Sequence, residues 1–338
     1  MTPRELTIKT LNFDRPPRIP RQLWLLPWAE VHHPEDAREI RSKYPDDLVQ
    51  SPGCYLSPPK LTGGKYRKGL YIDEWGCRFD NREEGLMGIV HDPLIGDWSE
   101  LERFNPPQSM LDLDRDSINR FCESTDQFVY AGSIVRPLER IQFIRTMEQT
   151  FLDVIQEEPG FFELLDILHI HFCKEVEAWS ATSVDAIFLM DDWGTQHGMM
   201  FSPDLFRRVF KPLYRDYCEI AHSRGKYVFM HSDGQIAEII PDLIEVGVDA
   251  LNSQLFCMDI ERLAAEATGK ITFWGEIDRQ NLLPNATTSQ IREAVMKVYH
   301  YLYKDGGVIA QCEFGPAARP SNIHAVFSAW NEITTSYQ

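Results

Sequence analysis

Residues 185–234 read DAIFLMDDWGTQHGMMFSPDLFRRVFKPLYRDYCEIAHSRGKYVFMHSDG. The run at 185–192 is short and apolar before it ends in acids, the pattern of a buried strand. Ser202 then offers a helix N-cap, Pro203 suits the first helical position, and Gly225 supplies the stop. Pro212 falls inside this helix, where its ring and missing N–H predict a bend. A second apolar run, KYVFMH at 226–231, follows directly. Strand, helix and strand joined by short links form the repeating unit of a parallel sheet.

The same alternation extends in both directions. QFVYAGS (127–133) reads as a strand and 137–180 as a long helical stretch. Beyond 234, IAEIIPDLIEVG (236–247) reads as a helix. DALNSQ (249–254), KITFWGEID (270–278) and GGVIAQCEFG (306–315) read as strands, with helices at about 259–267, 287–303 and 320–332. Such a chain builds either an open doubly wound sheet or a closed barrel. No GxGxxG follows a first strand, which removes the usual mark of a dinucleotide-binding sheet. The fold class expected is α/β, a (β/α)8 TIM barrel with a decorated, irregular N-terminal region. The 338 residues suit one such domain, with 1–120 irregular and 121–338 carrying the main barrel units. The first part is rich in proline and turn residues, as in PPRIPRQ, SPGCYLSPPK and FNPPQSM. GLYIDEWGCRFD (69–80) within it reads as part of a hairpin.

Composition narrows the function. With 51 Asp and Glu against 34 Lys and Arg, the net charge is −17. An acidic chain repels phosphate backbones and anionic lipid, so neither nucleic acid nor membrane is an expected partner. The N-terminus shows no apolar signal-peptide core and no run is long enough to span a bilayer, so a cytoplasmic location is expected. The seven cysteines contain no CxxC pair and are expected as free thiols.

In a (β/α)8 barrel the active site lies at the C-terminal ends of the strands. Those ends are polar here: Asp191-Asp192-Trp193-Gly194-Thr195-Gln196, His231-Ser232-Asp233-Gly234, Asn252-Ser253-Gln254, Gly275-Glu276-Ile277-Asp278 and Cys312-Glu313. His231, Asp233, Glu276 and Cys312 have the chemistry of zinc ligands, and a catalytic zinc needs three of them and an open position. The alternative is a strand-end histidine bonded to backbone and a cysteine acting as a small core hydrophobe. Asp191 and Asp192 form either an acid/base pair, in which like charge raises one pKa, or a cap for nearby loop amides. Asp73 is either part of a substrate wall or simple hairpin structure. Arg18 binds an anionic substrate or pairs with the acidic surface.

The segments 191–252, FWGEIDRQNLLP (273–284), Cys312 and YIDEWGCRFD together resemble the uroporphyrinogen decarboxylase superfamily, in its cobalamin-dependent methyltransferase-like branch. The resemblance spans roughly residues 70–330 and implies a (β/α)8 barrel. It is weaker toward the decarboxylase itself, because Arg18-Ile19-Pro20-Arg21-Gln22-Leu23-Trp24 lacks the Ala-Gly-Arg element of that enzyme's arginine-rich motif. The branch holds zinc through a His-x-Cys pair and a later Cys. His231 and Cys312 match its first and last positions, while Asp233 stands where the branch has its middle Cys. A carboxylate there makes the metal harder and a better Lewis acid for an ether oxygen.

The resemblance implies a methyltransferase acting on a small methylated molecule such as an aromatic methyl ether. Its metal ligands would be His231, Asp233 and Cys312, with Glu276 as a further ligand or proton handler; Asp191 and Asp192, the acid/base candidates above, complete the expected catalytic set. Trp193, Gln196, Asn252, Trp274, Asp73 and Arg18 would contact substrate. Methylcobalamin or another corrinoid would come from a partner protein, since the chain lacks the DxHxxG motif of a cobalamin domain, and a homodimer is the implied assembly. Two other readings stay open: a metal-independent decarboxylase or lyase using Asp191, Asp192 and His231, and a barrel that binds a small molecule without catalysis.

Overall fold

The computed structural model describes residues 1–336, with side chains to 333. Its strands, in chain order, are β1 (Arg21–Leu25), β2 (Leu48–Gln50), β3 (Gly69–Ile72), β4 (Arg78–Asn81), β5 (Ile89–Val90), β6 (Phe128–Tyr130), β7 (Ala186–Met190), β8 (Tyr227–Ser232), β9 (Ala250–Ser253), β10 (Thr272–Trp274) and β11 (Val308–Phe314). Eight of these form one sheet in the order β1-β11-β10-β9-β8-β7-β6-β2, and every ladder in it is parallel. Helices separate successive strands, so the sheet curls into a nearly closed barrel. The seam between β1 and β2 is bridged by acids rather than by a ladder. Asp46 accepts from the Leu23 N–H (2.7 Å), Asp47 accepts from the Arg21 N–H (2.9 Å), and the Asp47 N–H donates to the Arg21 carbonyl (2.8 Å).

Alternation along each strand sorts side chains into two layers. Inside the barrel pack Leu48, Phe128, Tyr130, Ala186, Phe188, Phe229, Ala250, Trp274 and Ile309, joined from below by Leu11. Leu11 belongs to the helix Pro3–Leu11, whose N-terminus is fixed by a Thr2/Glu5 capping box. The residues of opposite parity, such as Ile187, Val228, Met230, Leu251, Phe273, Ala310 and Cys312, face the helices and join the larger core.

The structure differs from the sequence expectation in three places. Two barrel strands, β1 and β2, come from the first fifty residues, within the irregular N-terminal region and ahead of the 121–338 span expected to carry the barrel units; they are short and crowded by proline, and their periodicity is faint. The stretch 137–180 is three helices, Pro137–Arg145, Met147–Ile155 and Pro159–Ser180, broken at Thr146 (φ 71°) and at Glu157 (φ 51°) before Pro159. The stretch 202–225 starts at the Ser202 cap as expected, then widens into a π-helical turn over Phe206–Phe210, with the Lys211 N–H bonded to the Phe206 carbonyl. That wider turn accommodates Pro212, which has no N–H to give. The hairpin is present as antiparallel β3 and β4, extended by β5. No helix of the described residues is long and apolar enough to cross a membrane.

Candidate metal centre

The loops leaving β7 and β8 touch backbone to backbone at the barrel mouth. The Gly194 N–H donates to the Asp233 carbonyl (3.1 Å) and the Gln235 N–H donates to the Thr195 carbonyl (2.8 Å). Gly234 adopts φ 81°, and a Cβ placed there would lie 2.3 Å from the Gly194 carbonyl carbon. Only glycine supplies both that conformation and that space. The contact draws Asp192 and Asp233 to the same point, and the Asp192 carboxylate accepts from the Asp233 N–H (2.9 Å).

His231 completes the cluster. One ligand atom from each of Asp192, His231 and Asp233 lies within 4.8 Å of the others. The imidazole Nε2 stands 3.5 Å from Asp192 Oδ1 and 3.4 Å from Asp233 Oδ1. Its ring is held from behind: the Asn252 amide nitrogen donates to the Trp274 carbonyl, so Asn252 Oδ1 faces His231 Nδ1 at 2.6 Å and accepts its proton. Nδ1 therefore carries the hydrogen and the Nε2 lone pair looks into the cluster, the arrangement of a metal-binding histidine. Asp233 Oδ1 is buried and has no hydrogen-bond partner. An imidazole lone pair and two carboxylate oxygens so close together need a positive charge among them. One nitrogen and two oxygens suit zinc or a similar divalent ion.

A shell of acids and one arginine surrounds these three residues. Arg279 bonds the second oxygen of Asp233, reaches Glu313 at 3.0 Å and stands 3.6 Å from Glu276. Burial pushes the Glu276 carboxyl well above the usual carboxylate range, and it raises Glu313 as well. On the opposite side Glu139 pairs with Arg136 (3.2 Å); burial raises its carboxyl, Arg136 opposes that rise and the charge of Asp192 adds to it. The floor is aromatic: Trp24 lies 5.1 Å from both His231 and Trp274, ring centre to ring centre.

The residues expected from sequence are distributed as follows. Asp192, His231 and Asp233 converge, with Asn252 behind His231, Trp274 below it and Glu276 beside Arg279. Asp191 is fully buried and accepts from the Leu138 N–H (3.0 Å), the Glu139 N–H (2.8 Å) and the Tyr214 hydroxyl (2.5 Å). It caps the helix Pro137–Arg145, which has no side-chain cap of its own. Cys312 is fully buried on the helix-facing side of β11, outside the cluster, and burial holds its thiol far above its usual value. The inward positions of that strand end are Gln311 and Glu313. Trp193 is packed among Phe206 and Phe210 with its N–H on the Tyr214 hydroxyl (3.1 Å). Gln196 donates to Gln254 (3.0 Å) on the loop side of the mouth. Asp73 sits under the hairpin and binds Arg140 (2.6 Å). Arg18 pairs with Asp47 just before β1, at the end of the barrel away from the mouth.

Sequence reasoning passed over Arg279, Glu313, Glu139 and Trp24. Strand parity was the signal for two of them: Glu313 is two residues after Gln311 on the inward side, and Trp24 is two after Gln22. Arg279 follows Glu276 by three residues and Glu139 follows Arg136 by three, spacings that place charges together on a turn of helix or loop.

A parallel barrel with a histidine and carboxylates gathered at its mouth defines an enzyme-like architecture. The uroporphyrinogen decarboxylase (URO-D) family model matches residues 71–333, and the chain belongs to that family. No curated protein matches the chain. Among solved structures, a methyltransferase from Methanosarcina mazei aligns with a TM-score of 0.70 at 15% identity, covering 98% of this chain and 99% of its own. A B12-independent methionine synthase from Shewanella sp. W3-18-1 aligns with a TM-score of 0.48 at 12% identity, covering 95% and 96%. At 15% identity the likeness to the Methanosarcina mazei methyltransferase is one of fold.

Proposed function

We propose that this protein is a metal-dependent methyltransferase that removes a methyl group from a small methylated substrate, an aromatic methyl ether in the first instance, for a corrinoid carried on a partner protein. The observation that carries this reading is the convergence of His231 Nε2 with Asp192 and the unpartnered Asp233 Oδ1. Those three residues would hold the ion, zinc by the chemistry of the set. When bound, the metal supplies Lewis acidity toward the oxygen that carries the methyl group. Asn252 keeps the His231 ring turned so that Nε2 faces the substrate side. Arg279 offsets the surplus negative charge of Asp233 and Glu313. Burial raises the Glu276 carboxyl well above its usual range, which suits it to give a proton to the oxygen as the O–CH3 bond breaks. Trp24 and Trp274 close the floor against water. A reduced corrinoid would supply the electron pair that accepts the methyl group, and the proton would remain on the demethylated oxygen.

The test is elemental analysis of freshly purified protein, prepared without chelator, beside a His231→Ala/Asp233→Ala variant, followed by a methoxyarene assay with free cob(I)alamin. Near-stoichiometric metal that disappears in the variant, with methyl transfer in the wild type, supports the reading. Metal-free wild type overturns it. A second reading, a metal-independent carboxy-lyase acting through Asp192 and His231, is favoured by one observation: Arg279 already places a cation against Asp233. It predicts activity that survives exhaustive metal removal.

A further inference from the structure

A second cavity opens on the same end of the barrel, beneath the β3–β4 hairpin and the loops that leave β2 and β6. Its volume is about 480 Å³, ample for one aromatic ring with substituents. Tyr55, Met87, Met110, Ser133, Phe172 and Glu175 are on its wall. Arg136, also on the wall, links it to the mouth through Glu139.

Glu175 is the unusual member. It is completely buried, and neither carboxyl oxygen has a full hydrogen bond; the Ser133 hydroxyl is close enough to act on it. His171, one helical turn earlier, is 3.9 Å away. Burial pushes that imidazole down to about 4, so it stays neutral and gives Glu175 no counter-charge. Burial likewise pushes the Glu175 carboxyl up to about 7. A buried, unsatisfied carboxyl on a cavity wall calls for a ligand group that hydrogen-bonds to it.

The surroundings decide the charge of that ligand. Arg140 is committed to Asp73 (2.6 Å) and Glu74 (3.7 Å), and Arg136 to Glu139. Lys65 is exposed, so the buried wall has no free cation for an anionic ligand. A cationic ligand would meet two flanking guanidiniums. It would also find Trp75 already covered by Arg140 (4.6 Å) and stacked with Phe104, which leaves no aromatic cage. A neutral aromatic hydroxyl meets neither obstacle: its O–H satisfies Glu175, and its ring suits Phe172 and the two methionines.

We propose that this cavity binds a neutral monocyclic phenol, with the ring among Met87, Met110 and Phe172 and the hydroxyl on Glu175 and Ser133. The proposal deepens the methyl-transfer reading and rests on it only for the fate of the ligand: the methyl ether would be a methoxyphenol. The binding test needs neither metal nor corrinoid. Isothermal titration of the full chain would compare 2-methoxyphenol with anisole, which lacks the hydroxyl, and with tetramethylammonium. The phenol should bind about ten-fold or more tightly than anisole. Glu175→Leu should erase that preference and leave anisole binding nearly unchanged, and Met110→Trp, which fills the cavity, should weaken both ligands. Equal affinity of the wild type for phenol and anisole overturns the proposal, as does displacement of 2-methoxyphenol by tetramethylammonium. If Glu175→Leu does not fold, the wild-type comparison still decides. Binding without methyl transfer would refute the enzyme reading alone, and methyl transfer without a hydroxyl preference would refute this one alone.

Discussion

At the end of β8, His231 and Asp233 occupy the inward places and meet Asp192 across the mouth. At the end of β11 the inward places belong to Gln311 and Glu313, while Cys312 faces the helices. Both strand ends carry residues with metal-ligand chemistry, and one step of strand parity sends them to opposite sides of the barrel wall. A carboxylate at 233 therefore belongs with a second carboxylate, Asp192, instead of with a thiolate. The site this creates is harder than a His/Cys/Cys set and better matched to an oxygen-bearing substrate. Arg279, held between Asp233, Glu276 and Glu313, is the balance that such an acidic mouth requires.

The sharpest way to break the comparison is to remove its inward member. His231→Ala should strip the bound metal altogether and abolish methyl transfer, as read by elemental analysis and by the cob(I)alamin absorbance. Retention of full metal content would show that β8 does not carry the site. Next in size is Gly234→Ala. The added methyl collides with the Gly194 backbone at a positive φ, which should destabilise the fold by about 3 kcal/mol and part Asp192 from Asp233. A fall in Tm together with lost metal is expected. A variant of unchanged Tm and metal content would remove the loop contact as the device that assembles the centre.

How much of this was legible in the residues depends on the range of the signal. The 185–234 stretch announced its strand, cap, helix and stop, because each is a local preference. The polar strand ends announced a common mouth, and His231 and Asp233 stood out within it. What the residues could not announce was long-range or depended on parity. Asp191 is identical in type to Asp192 and adjacent to it, yet it turns away to cap a helix that begins more than fifty residues earlier in the chain. Cys312 and Glu313 are exchanged by one step along a strand whose phase is set by packing of Ile309 into the barrel. β1 and β2 are stabilised by their partners more than by their own sequences, so proline-rich neighbours concealed them.

A smaller effect tests what lies behind the inward histidine. Asn252→Ala removes the acceptor that fixes the His231 tautomer, without touching the ligand atoms. Metal affinity should fall by about 10–100-fold, the usual loss when a supporting hydrogen bond to a ligating histidine is removed. A competition titration with a chromophoric chelator reads this directly. Unchanged affinity would mean that Asp192 and Asp233 alone orient the ring.

The smallest expected effect falls on β11. Cys312 is fully buried among apolar neighbours on the helix side, so Cys312→Ala should remove only packing, about 1 kcal/mol of stability. Metal content and metal affinity should equal those of the wild type. Glu313→Gln, one residue along, should behave differently: it loses the charge that pairs with Arg279 at 3.0 Å, freeing the guanidinium to compete for Asp233 and weakening the centre. If instead Cys312→Ala releases the metal and Glu313→Gln does not, the end of β11 must present its other face to the mouth. Ile309 would then have to leave the interior layer in which it packs, because every side chain of a strand turns over together. The pair of variants thus measures the phase of one strand through the metal that the proposed site on another would hold.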